Sequence, residues 1–142
     1  MKFSSFAIIF CASTTLVLSG CAGLPDPTAK VRETKATAVS GKRTKIGSTA
    51  HIKADCEFAG YPYTAAIKQP AHGKIEVVHE EVRVHYPKDG PGYVCSGKPV
   101  QGNAVYYTPD PGYTGTDQFT IRLSALRVAR VDDDNVTVTV VK

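Results

Sequence analysis

From Ile46 onward, apolar and polar residues alternate with a period of two, the pattern of strands with one buried face. Ala50, Ile52, Ala54 and Cys56 alternate with His51, Lys53 and Asp55, and Tyr63, Ala65 and Ile67 form the next run, stopped by Gln69-Pro70. Ile75 and Val77 follow the Ala71-His72-Gly73 turn, and Val82, Val84 and Tyr86 follow Glu80-Glu81. The segment 87–101 (PKDGPGYVCSGKPVQ) reads as a long, turn-rich loop, with a short strand over Ala104–Thr108 after it. Phe119, Ile121 and Leu123 make a further strand, and Val136, Val138 and Val140 the last. No helical apolar stripe appears in this region. Seven or eight strands within about 100 residues predict an all-β, antiparallel sandwich.

The N-terminus breaks this pattern. Met1-Lys2 gives a positive start, Phe6–Leu18 an apolar run of 13 residues, and Leu18-Ser19-Gly20-Cys21 a small-residue cleavage site. A spanning helix needs about 20 apolar residues, so a signal peptide over 1–20 is the better reading. The sequence Leu18-Ser19-Gly20-Cys21 resembles the bacterial lipobox. The resemblance implies a covalent lipid on Cys21 and a mature chain that begins there. It also implies a membrane as the first partner; Ala22 after the lipidated Cys, in place of Asp, implies the outer membrane as destination. Residues 21–45 are rich in Pro, Thr, Ala and Lys, with six cations against two anions, and read as a solvated basic tether, with a basic segment lying on anionic headgroups as the sharper alternative. Val31 and Val39 leave open a strand that begins within it.

Four cysteines then reduce to two. Cys11 leaves with the signal and Cys21 carries lipid, so Cys56 and Cys95 remain in an oxidising compartment and are expected to pair. Closing a loop of about 40 residues contributes roughly 4 kcal/mol in the chain-entropy account. A metal pair at these cysteines lacks two further ligands at suitable spacing.

Residues 105–120 (VYYTPDPGYTGTDQFT), with the Val/Thr-rich 136–142 (VTVTVVK) and Pro70-Ala71-His72-Gly73-Lys74-Ile75 upstream, resemble cadherin-like, immunoglobulin-like domains repeated in bacterial surface adhesins. The resemblance covers 46–142 and implies an immunoglobulin-like sandwich. The motif's own physics is structural: Pro109 and Pro111 end ladder pairing, Gly112 and Gly115 permit tight turns, and Tyr113 can bury its ring while its hydroxyl bonds backbone. Asp117 is placed to accept turn amides. The chain departs from the relatives in having one copy, the inserted loop with Cys95, and Ser124-Ala125-Leu126-Arg127 where many have Asp-Gly.

Other chemistry is sparse. With 17 Lys and Arg against 13 Asp and Glu, the net charge of +4 is too small to imply nucleic acid as a partner. His79 and His85 share a strand face with Glu81 and Arg83, yet six residues of strand set them about 20 Å apart, too far to hold one ion. Asp132, Asp133 and Asp134 form the one acidic cluster, read as an exposed hairpin turn with weak calcium binding as the sharper alternative. No cofactor is otherwise expected. No Gly-x-Ser-x-Gly elbow or glycine-rich phosphate loop is present, and Ser96 has no evident base nearby, so the chain is not expected to be an enzyme. Arg122, Arg127, Arg130, Lys68, Lys74 and Lys98 are either a patch for acidic polysaccharide or distributed solvating charge.

The expected interaction surface is the 87–101 loop with Tyr93 and Lys98, together with Tyr106 and Tyr107, one of which must face outward. The functional expectation is a lipid-anchored, non-catalytic interaction or structural module of the bacterial envelope whose partner is an envelope protein or polysaccharide. The alternative is an accessory or inhibitor lipoprotein that blocks a hydrolase with the disulfide-braced loop.

Overall fold

A computed structural model describes residues 28–90, 92–125 and 130–142. The expected signal peptide, Cys21 and the first few residues of the expected tether lie outside the described residues. The described chain is all-β, with one 3₁₀ turn at Tyr93–Cys95. Nine strands follow in order: β1 (Lys30–Val39), β2 (Thr44–Thr49), β3 (His51–Ile52), β4 (Phe58–Gly60), β5 (Tyr63–Lys68), β6 (Gly73–Arg83), β7 (Pro99–Pro109), β8 (Gly115–Ala125) and β9 (Arg130–Val141). One sheet has the order β1-β9-β8-β5, a second β2-β7-β6, and β3 pairs with β4 alone.

The two larger sheets enclose one core. Val136, Val138 and Val140 of β9 alternate inward with Phe119 and Ile121 of β8, and meet Val105 and Tyr107 of β7. The Tyr107 and Phe119 rings stack at 5.4 Å between centroids, which ties the sheets together at mid-core. Ile46 of β2 and Ile75 and Val77 of β6 pack against this cluster from the second sheet.

Four elements differ from the sequence expectation. Residues 30–45 are not tether: β1 starts at Lys30, and Thr44 and Lys45 open β2. The inward positions of β1 include Thr34, Ala36 and Ala38, small residues that give little hydrophobic signal, and the cations stand on an edge strand where solvent takes them. β1 also pairs with β9 in parallel, so the sandwich is not wholly antiparallel. The expected strand over Ala50–Cys56 shrinks to His51–Ile52. A turn replaces the rest, with the Cys56 amide donating to Lys53 O and Cys56 itself at φ 72°. Finally, Glu80-Glu81 does not interrupt a strand, since β6 runs unbroken beside β7 from Gly73 opposite Pro109 to Arg83 opposite Pro99.

The two ends of the sandwich are unlike. At one end, tight connections interlock. The Ser40 hydroxyl donates to Asp110 O and accepts from the Gly112 amide, while the rings of His72 and Tyr113 stack at 4.0 Å. The Tyr113 hydroxyl bonds Thr116 O, as a corner tyrosine should. Asp117 accepts amides as expected, but those of Ala71 and His72 in the β5–β6 turn, as well as that of its neighbour Gln118. The opposite end carries the long connections.

Candidate functional site

Four strand ends define the loop-bearing end. Lys30 of β1 lies opposite Asp132 of β9, Asp132 opposite Leu123 of β8, and Leu123 opposite Thr64 of β5. In the second sheet the corresponding row runs from Thr49 through Asn103 to His79. The connections 50–62 and 84–98 therefore emerge side by side, beside the start of β1.

Cys56 and Cys95 join these two connections, with an S–S distance of 2.09 Å and Cα atoms 5.4 Å apart. Cys95 is buried and Cys56 half-buried. Backbone and side-chain bonds brace the second connection further. Arg83 Nη1 donates to Gly97 O, the Gly97 amide to Val84 O, and the Tyr86 amide to Ser96 Oγ. Burial pushes the Tyr86 hydroxyl above its ordinary range. The consequence is a braced loop whose exposed tip is Tyr93 and Val94, the first two residues of the 3₁₀ turn, with Cys95 of the same turn buried beneath them.

What the tip presents is apolar. Tyr93 is 46% exposed and Val94 66%, beside a shallow groove floored by Tyr86 and Pro87. On the neighbouring connection, Phe58 packs edge-on to Tyr61 at 4.8 Å and Tyr61 stacks on His79 at 3.7 Å, all partly exposed. Between the sheets a cleft of about 620 Å³ opens at this end, lined by Lys30, His51, His85, Arg130 and Asp132 among others. The site offers two apolar projections on a rigid frame, with exposed Lys30, Lys53, Lys88 and Lys98 around them. That chemistry suits surface contact.

The expected site residues separate. Tyr93 and Lys98 lie at this end, the Lys98 ammonium 3.5 Å from Cys56 Sγ. Tyr107 does not belong to any surface: it is fully buried, and burial followed by its bond to Asp117 pushes its hydroxyl well above the ordinary range. Tyr106 faces outward on the second sheet, but its ring lies under the Arg43 guanidinium at 3.4 Å and its hydroxyl donates to Glu80. Lys45 and then Tyr106 hold the Glu80 carboxyl below the usual range. Tyr106 is thus part of a charged lattice on the outer face of the second sheet rather than of the loops.

Asp132, Asp133 and Asp134 are not a hairpin turn; they lie within β9 and alternate between its faces. Each meets a cation: Asp132 with Arg130, Asp133 with Arg122 and Asp134 with Arg32. Among the described residues no three His, Cys, Asp or Glu side chains converge as a metal set. Nor do the cations gather as one patch, since Arg122 is engaged with Asp133 while Lys74 stands near Glu76. Arg127 lies outside the described residues.

Sequence reading missed Val94 and Phe58, whose exposure follows from tertiary placement, whereas Tyr61 and Tyr63, tyrosines of the kind that serve interfaces, are exposed. The available signal was that Tyr93-Val94 and Phe58 stand within two residues of the paired cysteines. Comparison with family models, with curated proteins and with solved structures finds no match to this chain.

Proposed function

We propose that this chain is a lipid-anchored protein of the bacterial outer membrane that acts as a non-catalytic interaction or structural module. The lipobox-like Leu18-Ser19-Gly20-Cys21 supports the anchor, and pairing of the two remaining cysteines fits an oxidising compartment outside the cytosol. The strand order β1-β9-β8-β5 facing β2-β7-β6 supports the immunoglobulin-like reading that the 105–120 motif suggested. A fold of this kind is a scaffold, and function resides in what it displays.

One observation carries the proposal. The two long connections, locked by Cys56–Cys95, present Tyr93 and Val94 as exposed apolar groups on a frame with little freedom left to lose. Pre-ordering of this kind lowers the entropic cost of contact and is of use to a binding surface. The same rigid projection suits a loop that plugs a hydrolase cleft, the second reading; a stoichiometric complex with a soluble enzyme distinguishes it.

The test is production of the full chain in a Gram-negative bacterium. The expected mature form begins at Cys21, carries the added mass of acyl chains and sediments with membranes. Cys21→Ser should leave an unprocessed, unacylated chain. A Cys21→Ser chain processed and membrane-bound like the parent overturns the anchor.

A further inference from the structure

The chain enters the fold from the Cys21 side at the loop-bearing end. Cys21 stands nine residues before Lys30, and Lys30 is where β1 enters the fold, in the row that also holds Asp132 and Leu123. Nine residues reach at most about 30 Å whatever their conformation. β1 then runs away from that end for ten residues, so its far end stands about 30 Å further along the strand axis. A chain held at Cys21 is therefore tethered by the end that carries connections 50–62 and 84–98, and the tight-turn end is the remote one.

We infer that the loop-bearing end is apposed to the bilayer that holds the anchor, with the Tyr93–Val94 tip entering the headgroup layer of anionic phospholipids. This rests on lipidation of Cys21. Three observations on the structure point to lipid as the occupant. The tip is aliphatic and aromatic together, Val94 at 66% and Tyr93 at 46% exposure, and a tyrosine suits an interface that is apolar on one side and wet on the other. Exposed Lys88 lines the groove beside Tyr93 and Val94, Lys98 follows the same turn, and Lys30 lines the neighbouring cleft with Tyr86 and Pro87. With exposed Asp89 set against them, these cations leave the end net positive, the sign a negative surface potential attracts. The Cys56–Cys95 bridge and the Arg83–Gly97 bond fix the tip's shape, so insertion orders little that is not already ordered.

The tether also sets the strength required. Confinement within about 30 Å of the surface corresponds to an effective concentration in the millimolar range or above, so an affinity too weak to hold a free domain suffices here. One apolar tip entering about 5–10 Å is a contact of that weak kind. The lipid does the holding and the tip sets the orientation.

The chain has no Trp, so a single substitution supplies an unambiguous optical reporter. Val94→Trp places it at the tip and Thr114→Trp in the exposed turn at the remote end. Each full-length, acylated variant is reconstituted into vesicles of phosphatidylglycerol and phosphatidylcholine, with and without brominated acyl chains. The expected result is a blue-shifted Val94→Trp emission quenched several-fold more deeply by brominated lipid than that of Thr114→Trp. The triple change Lys30→Ala, Lys88→Ala, Lys98→Ala should reduce that quenching while flotation of the acylated protein with vesicles is retained. Equal, shallow quenching at both positions in protein that floats overturns the inference and leaves the anchor standing. A Val94→Trp signal that ignores lipid but moves on addition of isolated peptidoglycan overturns it in favour of a wall polymer. Protein that carries no acyl mass at Cys21 and does not float overturns the anchor and the inference together.

Discussion

The Tyr107 hydroxyl donates to the Asp117 carboxylate at 2.8 Å, and both residues are buried between the sheets. The same carboxylate accepts the amides of Ala71 and His72 at 2.9 Å, so one side chain from β8 fastens β7 and the β5–β6 turn. Burial alone would raise the Asp117 pKa, yet the donated hydrogen bonds outweigh it and hold the carboxyl below its ordinary value of 3.8. A negative charge satisfied on several sides is a fastening, whereas the same residue without its donors would be a defect.

Loss of that carboxylate is expected to be costly. Asp117→Ala should destabilise by about 3 kcal/mol and Tyr107→Phe by about 1 kcal/mol, because the first orphans buried amides and the second removes one donor. Equilibrium urea unfolding of both variants measures the difference.

The pH dependence has two signs. A carboxyl whose folded pKa is depressed contributes stability above its unfolded value, and that contribution is lost as pH falls below about 4. The Tyr107 hydroxyl is shifted upward, so its contribution is complete below 10.0 and declines as pH rises beyond that. Melting temperatures of Asp117→Asn should therefore fall less than those of the parent on acidification, and those of Tyr107→Phe less on alkalinisation.

Reduction of Cys56–Cys95 opens a closed segment with a sequence separation of 39, worth roughly 4 kcal/mol at most. The expected result is a lower melting temperature together with faster amide exchange over 84–98. Exchange in β8 and β9, whose pairing does not involve the bridge, should change little under native conditions.

Arg122 and Asp133 form a two-pronged pair at 2.8 Å on both prongs, with side chains 16% and 10% exposed. Asp133→Ala leaves a largely buried guanidinium short of an anion and should cost about 3 kcal/mol. Arg122→Leu combined with Asp133→Val should recover most of that loss, which a double-mutant cycle in urea reports.

Gly73 opens β6 where a side chain has no room. An added Cβ would lie 2.5 Å from Thr108 O and 2.6 Å from Tyr107 Cε2, both fixed by the ladder and core. Gly73→Ala should destabilise by about 2 kcal/mol, visible as a shifted urea midpoint with an unchanged slope.

How much of this was legible in the sequence depends on which residues carried the signal. Phe119, Ile121, Val136, Val138 and Val140 announce β8 and β9 because large apolar groups alternate without interruption. β1 was hidden because Thr34, Ala36 and Ala38 bury little area and its cations imitate a solvated linker. The cysteine pair was legible by elimination and the 84–98 projection by its turn residues. Tyr107 misled, since adjacent tyrosines on a strand must face opposite ways but nothing local says which way is in. Asp133 and Asp134 misled for a related reason: their arginine partners stand 11 and 102 residues away in the chain, so a charge run that looks exposed is in fact answered across the sheet.

The parallel register of β1 and β9 spans ten residue pairs, from Lys30 beside Asp132 to Val39 beside Val141. A pull applied between the Cys21 side of β1 and the Val141 side of β9 runs along that seam rather than across it. The evenly spaced bonds of the seam must then slide together and cannot be unfastened one by one. A domain loaded between the start of β1 and the end of β9 meets force in its strongest direction, and its lifetime under tension is set by a shear barrier.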